Sequence, residues 1–212
     1  MTVANQIAAR GITDLMHFTT NVGLVGVMST GKLLPRSALQ DELTLEYILR
    51  VNSKFRRDTA WLDHVNFSVS RINHTFFEQS EAWHHDVFWV LLSFDAVLMT
   101  HDGVHFTTTN NIYPSCRRGN DVNAFDAMFA DKVLARYSQQ IRRTPTHPLA
   151  WTTCPQAEVL YPKPVSLEYL KAIYVRTEDE ESLVHAILAA VGEPDLPVIL
   201  DPSKFIAVHQ PS

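Results

Sequence analysis

Cys154-Pro155-Gln156-Ala157-Glu158-Val159-Leu160-Tyr161-Pro162 decides how the rest of the chain is read. The stretch has the look of a short strand that begins after a proline-rich loop and stops at a second proline. Proline lacks the N–H that a central ladder needs. Side chains alternate along a strand, so Gln156 and Glu158 are expected on one face, with Ala157 and Val159 turned into a core. A carboxylate and an amide held side by side on a rigid edge suit work on a ribose, because both hydrogen-bond its hydroxyls. The same pair is also what a solvated strand face shows, so the pattern needs support from its surroundings.

Just upstream, residues 138–155 have no periodicity and contain three prolines, with Arg142 and Arg143 among them. A loop this long inside a compact domain is usually functional or mobile. Before it, residues 123–137 predict an amphipathic helix burying Phe125, Met128, Phe129 and Val133. Asn110-Asn111 and the 114–119 loop, with Arg117 and Arg118, follow a strand over 104–108 that starts at the Asp102-Gly103 turn. The apolar run over 86–92 predicts the central strand. Residues 72–85 are a mixed aromatic and histidine stretch. Residues 65–70 alternate as a half-buried strand with Arg71 at its exit.

Residues 42–55 predict a helix with a basic end at Lys54, Arg56 and Arg57. The first strand spans 12–19. Thr20 is placed to cap the helix after it, Leu24, Val25, Val27 and Met28 to bury it, and Gly31 to stop it. Downstream of Glu158 come a short turn over 165–169 and a strand over 172–176. Thr177-Glu178-Asp179-Glu180 then has a capping-box signature, opening a helix buried through Val184, Ile187, Leu188 and Val191. A last edge strand is expected over 197–200. Strands and helices mix without regular βαβ alternation, which predicts an α+β fold on a mostly antiparallel sheet with flanking helices.

The 212 residues suit one domain over 1–212, and 46% hydrophobic residues suit a globular one. A net charge of -5 gives no global attraction to nucleic acid, so any such contact rests on local basic clusters. Two cysteines, Cys116 and Cys154, have neither disulfide density nor zinc spacing, and a reducing cytoplasm fits. The first twelve residues lack the apolar run of a signal peptide, and the run over 87–92 is too short to span a bilayer. The seven glycines form no dinucleotide or phosphate loop, and neither HExxH nor GxSxG occurs. The ten histidines include His101 and His105, but Asp102-Gly103 between them breaks any helix that would join them. No metal is expected.

Taken in order, several pieces resemble the DarT family of DNA ADP-ribosyltransferase toxins. These are Leu15-Met16-His17-Phe18-Thr19 with the helix to Gly31 and Leu33-Leu34, Phe67-Ser68-Val69-Ser70-Arg71, and Trp89-Val90-Leu91-Leu92. Gly103-Val104-His105-Phe106-Thr107-Thr108-Thr109-Asn110-Asn111, Gln156-Ala157-Glu158-Val159-Leu160 and Val165-Ser166-Leu167-Glu168-Tyr169-Leu170 complete the set. The likeness covers about residues 12–176. Two departures stand out. Asn111 follows Asn110 where the family usually has a small residue. Ser70-Arg71-Ile72-Asn73-His74 replaces the Pro-Arg-Ser-Pro-Met-like stretch of some members. The family has thymine- and guanine-modifying branches, and these departures lean away from the thymine type.

The resemblance implies an ADP-ribosyltransferase-like fold that transfers ADP-ribose from NAD to a base in single-stranded DNA, without a metal. It implies Glu158 and Arg71 as catalytic residues, with Arg71 favoured for positioning and phosphate contact. It implies His17, Phe18, Thr19, Phe67 and Gln156 for NAD, and Arg142, Arg143, Asn110 and Asn111 for the DNA. Lys54, Arg56, Arg57, Arg117 and Arg118 are further phosphate candidates. A DarG-like macrodomain antitoxin is an implied partner. Two alternatives stay open: the same transfer to RNA or protein, and a non-catalytic binding module on this fold.

Overall fold

The chain enters the computed structural model, which describes residues 1–39, 59–84 and 86–207, through a helix that patterning did not signal, α1 (Val3–Arg10). Its apolar face is short: Val3 and Ile7, one turn apart, pack against the core but are only partly buried, too little to stand out as a helical period. β1 (Asp14–Thr20) follows. In α2 (Asn21–Thr30) the Thr20 hydroxyl accepts the Gly23 N–H at 3.1 Å, and Gly31 closes the helix at φ 65°. Leu24, Val27 and Met28 are buried as expected, but Val25 is 43% exposed because it falls outside the stripe those three define. β2 (Lys32–Leu33) ends this part. The helix expected over 42–55, with Lys54, Arg56 and Arg57, lies outside the described residues.

β3 (Val65–Val69) keeps the alternation read from the sequence, with Val65, Phe67 and Val69 buried. The mixed stretch after it is in fact a helix, α3 (His74–Trp83), capped by the Asn73 side chain on Phe76 N–H. It buries only Phe77 and Ser80, too little for a visible period. β4 (Trp89–Asp95) is the central strand. Both its faces are covered: Val90, Leu92 and Phe94 join the main core, Trp89 and Leu91 a second cluster with Met16, Phe77 and Phe205. That is why its sequence is continuously apolar rather than alternating.

β5 (His105–Thr107) and β6 (Arg118–Gly119) follow. α4 (Val122–Ala127) is far shorter than the helix expected over 123–137. Phe125, Met128, Phe129 and Val133 are buried, but the backbone leaves the helix. Thr153 takes the carbonyls that a longer helix would have used: its N–H donates to Met128 O at 2.9 Å and its hydroxyl to Ala130 O at 2.6 Å. The chain instead forms a hairpin, β7 (Lys132–Leu134) with β8 (Gln140–Arg142). β9 (Glu158–Tyr161), β10 (Val165–Ser166), β11 (Leu170–Val175), α5 (Glu178–Val191) and β12 (Val198–Leu200) complete the fold.

Eight strands form one sheet in the order β12-β11-β4-β1-β3-β9-β5-β6. Every neighbouring pair is antiparallel except β11 with β12. The fold is therefore α+β on a mostly antiparallel sheet. Its register sets β1, β3 and β9 side by side, which brings His17, Asn66 and Glu158 to one region.

Asp14, at the start of β1, receives Lys171 Nζ at 2.9 Å, the Ser93 hydroxyl at 2.8 Å and the Thr13 hydroxyl at 2.6 Å. Burial alone would raise its pKa, but these donors outweigh it and hold the carboxyl below the usual aspartate range. A folded pKa below the unfolded one stabilises above the unfolded value and is lost as pH falls through the folded value. Asp14→Asn is expected to lower stability at pH 7 by about 1 kcal/mol. The deficit should shrink in thermal unfolding of both proteins as pH falls below the usual aspartate range and be lost once it has passed through the lowered native value, because the native carboxyl is then protonated too. A deficit that persists unchanged at acid pH would show that charge is not what Asp14 contributes.

Candidate active site

β1, α2, β3 and β9 border one cleft. The strands contribute His17, Phe18, Thr19, Asn66, Phe67 and Glu158. α2 turns Gly23, Gly26, Val27 and Thr30 toward it, the spacing of a single helix face. Such small side chains leave room for a ligand against the helix. The cations Lys32 and Arg36, and Asn73 and Phe76 of the α3 start, also line it.

Glu158 opens β9 and is half-buried. Its Oε2 accepts the Asn111 backbone N–H at 2.7 Å and its Oε1 accepts Asn66 Nδ2 at 3.2 Å. Its own N–H donates to the buried Thr107 hydroxyl at 3.0 Å. Two donors from different segments fix the direction of the carboxylate, which is how a charged group is pre-organised for electrostatic work. Asn111 is itself held: Arg118 Nε donates to its Oδ1 at 2.5 Å, and Arg118 Nη2 to its carbonyl.

His17 Nδ1 meets the Asn66 carbonyl at 2.9 Å. A carbonyl only accepts, so Nδ1 carries the proton, and Nε2 of the neutral ring is an acceptor. Asn66 thus touches His17 through its backbone and Glu158 through its side chain. Phe18 is half-buried among Phe77, Trp89 and Phe76, with centroids 5.3, 5.7 and 5.7 Å away. Phe67 borders the cleft but is only 1% exposed, its ring set against His17 and Phe94.

The remaining sequence candidates lie elsewhere. Gln156 is not on the strand: Ala157 N–H bonds to Cys154 O at 3.0 Å, and this turn delays β9 to Glu158. Gln156 instead lies near Tyr113, whose hydroxyl pKa is pushed up by burial. Arg71 is not among the residues lining the cleft. Its guanidinium stacks on Trp151 at 4.1 Å, its Nε is buried without a hydrogen bond, and burial pulls its pKa down. Asn110 caps its own loop, accepting Ile112 N–H at 3.1 Å. Asn111 is 3% exposed, so it supports Glu158 and does not face solvent where a nucleic acid would pass. Arg143 donates to Trp151 O and Pro148 O, both at 2.7 Å, and so pins the loop it was expected to serve. Arg142 is exposed on β8.

Sequence reasoning missed Asn66, Thr107 and the supporting role of Arg118. Asn66 had a usable signal: in an alternating strand it points opposite to Val65 and Phe67, away from the core. Thr107 and Arg118 had none, since only the pairing of β5 with β9 and β6 brings them to Glu158. Both cysteines are buried with thiol pKa values raised by that burial, which makes them poor nucleophiles. Among the described residues no three His, Cys, Asp or Glu side chains gather as a metal site would require.

A family model described as "ssDNA thymidine ADP-ribosyltransferase, DarT" matches residues 16–206. No curated protein matches the chain in sequence. Among solved structures, Thermus sp. 2.9 DarT in complex with ADP-ribosylated ssDNA superposes with a TM-score of 0.62 at 17% identity, covering 92% of this chain and 97% of that one. The same protein in complex with NAD+ gives 0.61 at 16% identity, covering 91% and 97%. Thermosipho africanus DarTG in complex with ADP-ribose gives 0.56 at 15% identity, covering 91% of this chain and 50% of that one. At such identities the superpositions speak for the fold. The family match speaks for membership.

Proposed function

This chain belongs to the DarT family of NAD-dependent single-stranded-DNA ADP-ribosyltransferases, and we propose that its own reaction runs in the cleft in front of Glu158. The observation that carries this reading is the carboxylate aimed by Asn111 N–H and Asn66 Nδ2 at a cleft that also holds His17 and Thr19. Residues 1–212 act as one catalytic domain in this reading.

The residues present suit NAD as co-substrate. Lys32 and Arg36 supply positive charge for a pyrophosphate, the small face of α2 supplies space, and Phe18 supplies an aromatic surface. Bound NAD brings an ADP-ribosyl group and a cationic leaving group whose departure leaves positive charge on the ribose carbon, as in glycoside cleavage. Glu158 stabilises that charge and accepts a ribose hydroxyl or the proton released by the attacking base. His17 Nε2 accepts a ribose hydroxyl, and Thr19 adds a second hydrogen bond. Phe67 holds the His17 ring in place. Gln156 and the Asn110 loop lie beside Glu158 on the acceptor side. Arg71, Arg142 and Arg143 are the cations of that side, with Arg71 in a positioning role on Trp151.

The family description names thymidine, whereas Asn111 and the Ser70-to-His74 stretch depart from the thymine branch, so the acceptor base follows from the assay. The protein is incubated with NAD and a mixed pool of single-stranded oligonucleotides, and products are read by mass spectrometry. Gain of one ADP-ribose on DNA, with the base assigned by fragmentation, is expected. Label only on RNA or protein would discard the acceptor. A DarG-like macrodomain that removes the modification is the partner this activity calls for, and a cytoplasmic toxin is the role. Among the described residues no helix is long and apolar enough to cross a membrane.

Gly23 offers a test of Thr19 that leaves Thr19 itself in place. A Cβ at residue 23 would lie 2.1 Å from Thr19 Oγ1 and 3.4 Å from Thr19 Cβ. Gly23→Ala therefore forces the Thr19 hydroxyl to rotate, while alanine suits a helix interior better than glycine. KM for NAD is expected to rise roughly 2- to 10-fold, the worth of one hydrogen bond, with the melting temperature kept. An unchanged KM would remove Thr19 from the NAD site.

A further inference from the structure

Asn66 stands where the sheet by itself gives no reason for an amide. It lies within β3 between the buried Val65 and Phe67, and its cross-strand partner on β9 is the fully buried Leu160. Asparagine is depleted from strands, because its side chain competes for backbone groups and packs poorly on a pleated face. An apolar residue at this register would suit the sheet better. A local choice that opposes the fold is expected where a residue serves the site instead.

Both the backbone and the side chain of Asn66 are used, each by a different half of the cleft. The paired register of β1 with β3 ends at Met16 and Ser68. Beyond that point a ring takes up the β3 backbone: His17 Nδ1 donates to the Asn66 carbonyl at 2.9 Å. On the other flank β9 stays paired with β3, and Glu158 Oε1 accepts Asn66 Nδ2 at 3.2 Å. A carboxylate only accepts, so the amide must turn its NH2 there. One residue thus joins the imidazole on β1 to the carboxylate on β9. The link is short and covalent, so it fixes the two groups relative to each other, and small misplacements between such groups slow a reaction.

We propose that Asn66 is a positioning residue with divided duties: its backbone carbonyl sets His17, and with it NAD affinity, while its side-chain amide sets Glu158, and with it the rate of transfer. The proposal rests on the transferase reading above and adds the residue that couples donor binding to the chemical step. The division follows from where the two groups sit. A side-chain substitution leaves the carbonyl in place, so His17 keeps its tautomer. It withdraws the donor to Glu158, and a donor to the charged form of a carboxyl favours that form.

The test is transfer of ADP-ribose from NAD to a single-stranded DNA oligonucleotide by the full chain and by Asn66→Leu, measured across pH. The rate on bound NAD is expected to fall roughly 10- to 100-fold, the range for one hydrogen bond to a charged group. KM for NAD should stay within about 3-fold of its native value, the signature of an interaction that acts on the chemical step. The deficit should also depend on pH. Loss of the donor moves the titration of the carboxyl upward, and the group is charged only above it, so the deficit should be largest on the acid side and shrink as pH rises. His17 on β1, Tyr113 and Cys116 after β5 and Arg118 on β6 also surround this region, and the substitution changes none of them. Asn66→Ala repeats the comparison if leucine lowers the melting temperature. An unchanged rate in the folded variants, a rise in KM as large as the loss in rate, or a deficit equal at every pH would each overturn the proposal. Glu158→Gln keeps the two readings apart. Equal transfer by Glu158→Gln and the native chain would sink the transferase reading, whereas full transfer by the Asn66 variants beside an inactive Glu158→Gln would sink this proposal alone.

Discussion

Glu158→Gln is expected to slow ADP-ribosyl transfer to DNA by at least about 10²- to 10³-fold, the loss seen when one pre-organised electrostatic group is removed. The fold should be intact, for a geometric reason. Asn111 presents a backbone N–H that cannot reverse, so the new amide must turn its oxygen there. Its NH2 then faces Asn66, whose side-chain amide can flip to offer an oxygen in place of the Nδ2 that now donates at 3.2 Å. Shape and these two hydrogen bonds survive, and the charge is lost. Glu158→Ala is a poorer control, because it leaves the Asn111 N–H and the Asn66 amide without an acceptor, at about 1–3 kcal/mol for each such group. The measurement is single-turnover transfer to an oligonucleotide, with NAD affinity recorded separately. A small loss in rate alongside a large loss in NAD affinity would make Glu158 a binding residue and would move the charge-stabilising role elsewhere.

The sequence made Glu158 legible because its neighbours are unambiguous: Ala157 and Val159 are buried, and prolines bracket the segment. It misplaced Gln156 because alternation was carried two residues too far, into a turn closed by Cys154 O. The strands of the sheet were readable from apolar runs and alternation, since these report local burial, except β6, which falls in the stretch read as a loop over 114–119. The long helix over 123–137 was not, although its buried residues were correctly chosen. Helix there loses to a tertiary competitor, Thr153, which lies more than twenty residues downstream and leaves no local trace. The same holds for Asn111: its separation of 47 residues from Glu158 hides a contact that only the sheet order creates. His17 was found by its place at the end of a strand before a capped helix, whereas its tautomer needed the Asn66 carbonyl to be seen.

Phe67→Ala should give the largest loss of stability among single substitutions at the cleft. Phe67 is 1% exposed and lies on β3 between β1 and β9, edge-on to Phe94 at 5.3 Å and to His17 at 5.9 Å. Truncating a buried phenylalanine costs about 3–5 kcal/mol. A domain's whole stability is about 5–15 kcal/mol, so this is a large fraction of it. For a chain of this size the melting temperature should fall by roughly 6–20 °C. Activity should fall further than unfolding explains, even at temperatures where the variant is fully folded. The cavity removes one wall of the His17 ring, so the ring loses its aromatic support while the hydrogen bond from Nδ1 to Asn66 O remains. Phe67→Leu separates the two effects. It refills most of the cavity, so most of the melting temperature should return, but it offers no ring edge to His17. If KM for NAD stays high in Phe67→Leu after stability has recovered, the aromatic contact is what positions His17. If KM recovers together with the melting temperature, any packed side chain at residue 67 suffices, and Phe67 acts on the site only through the core.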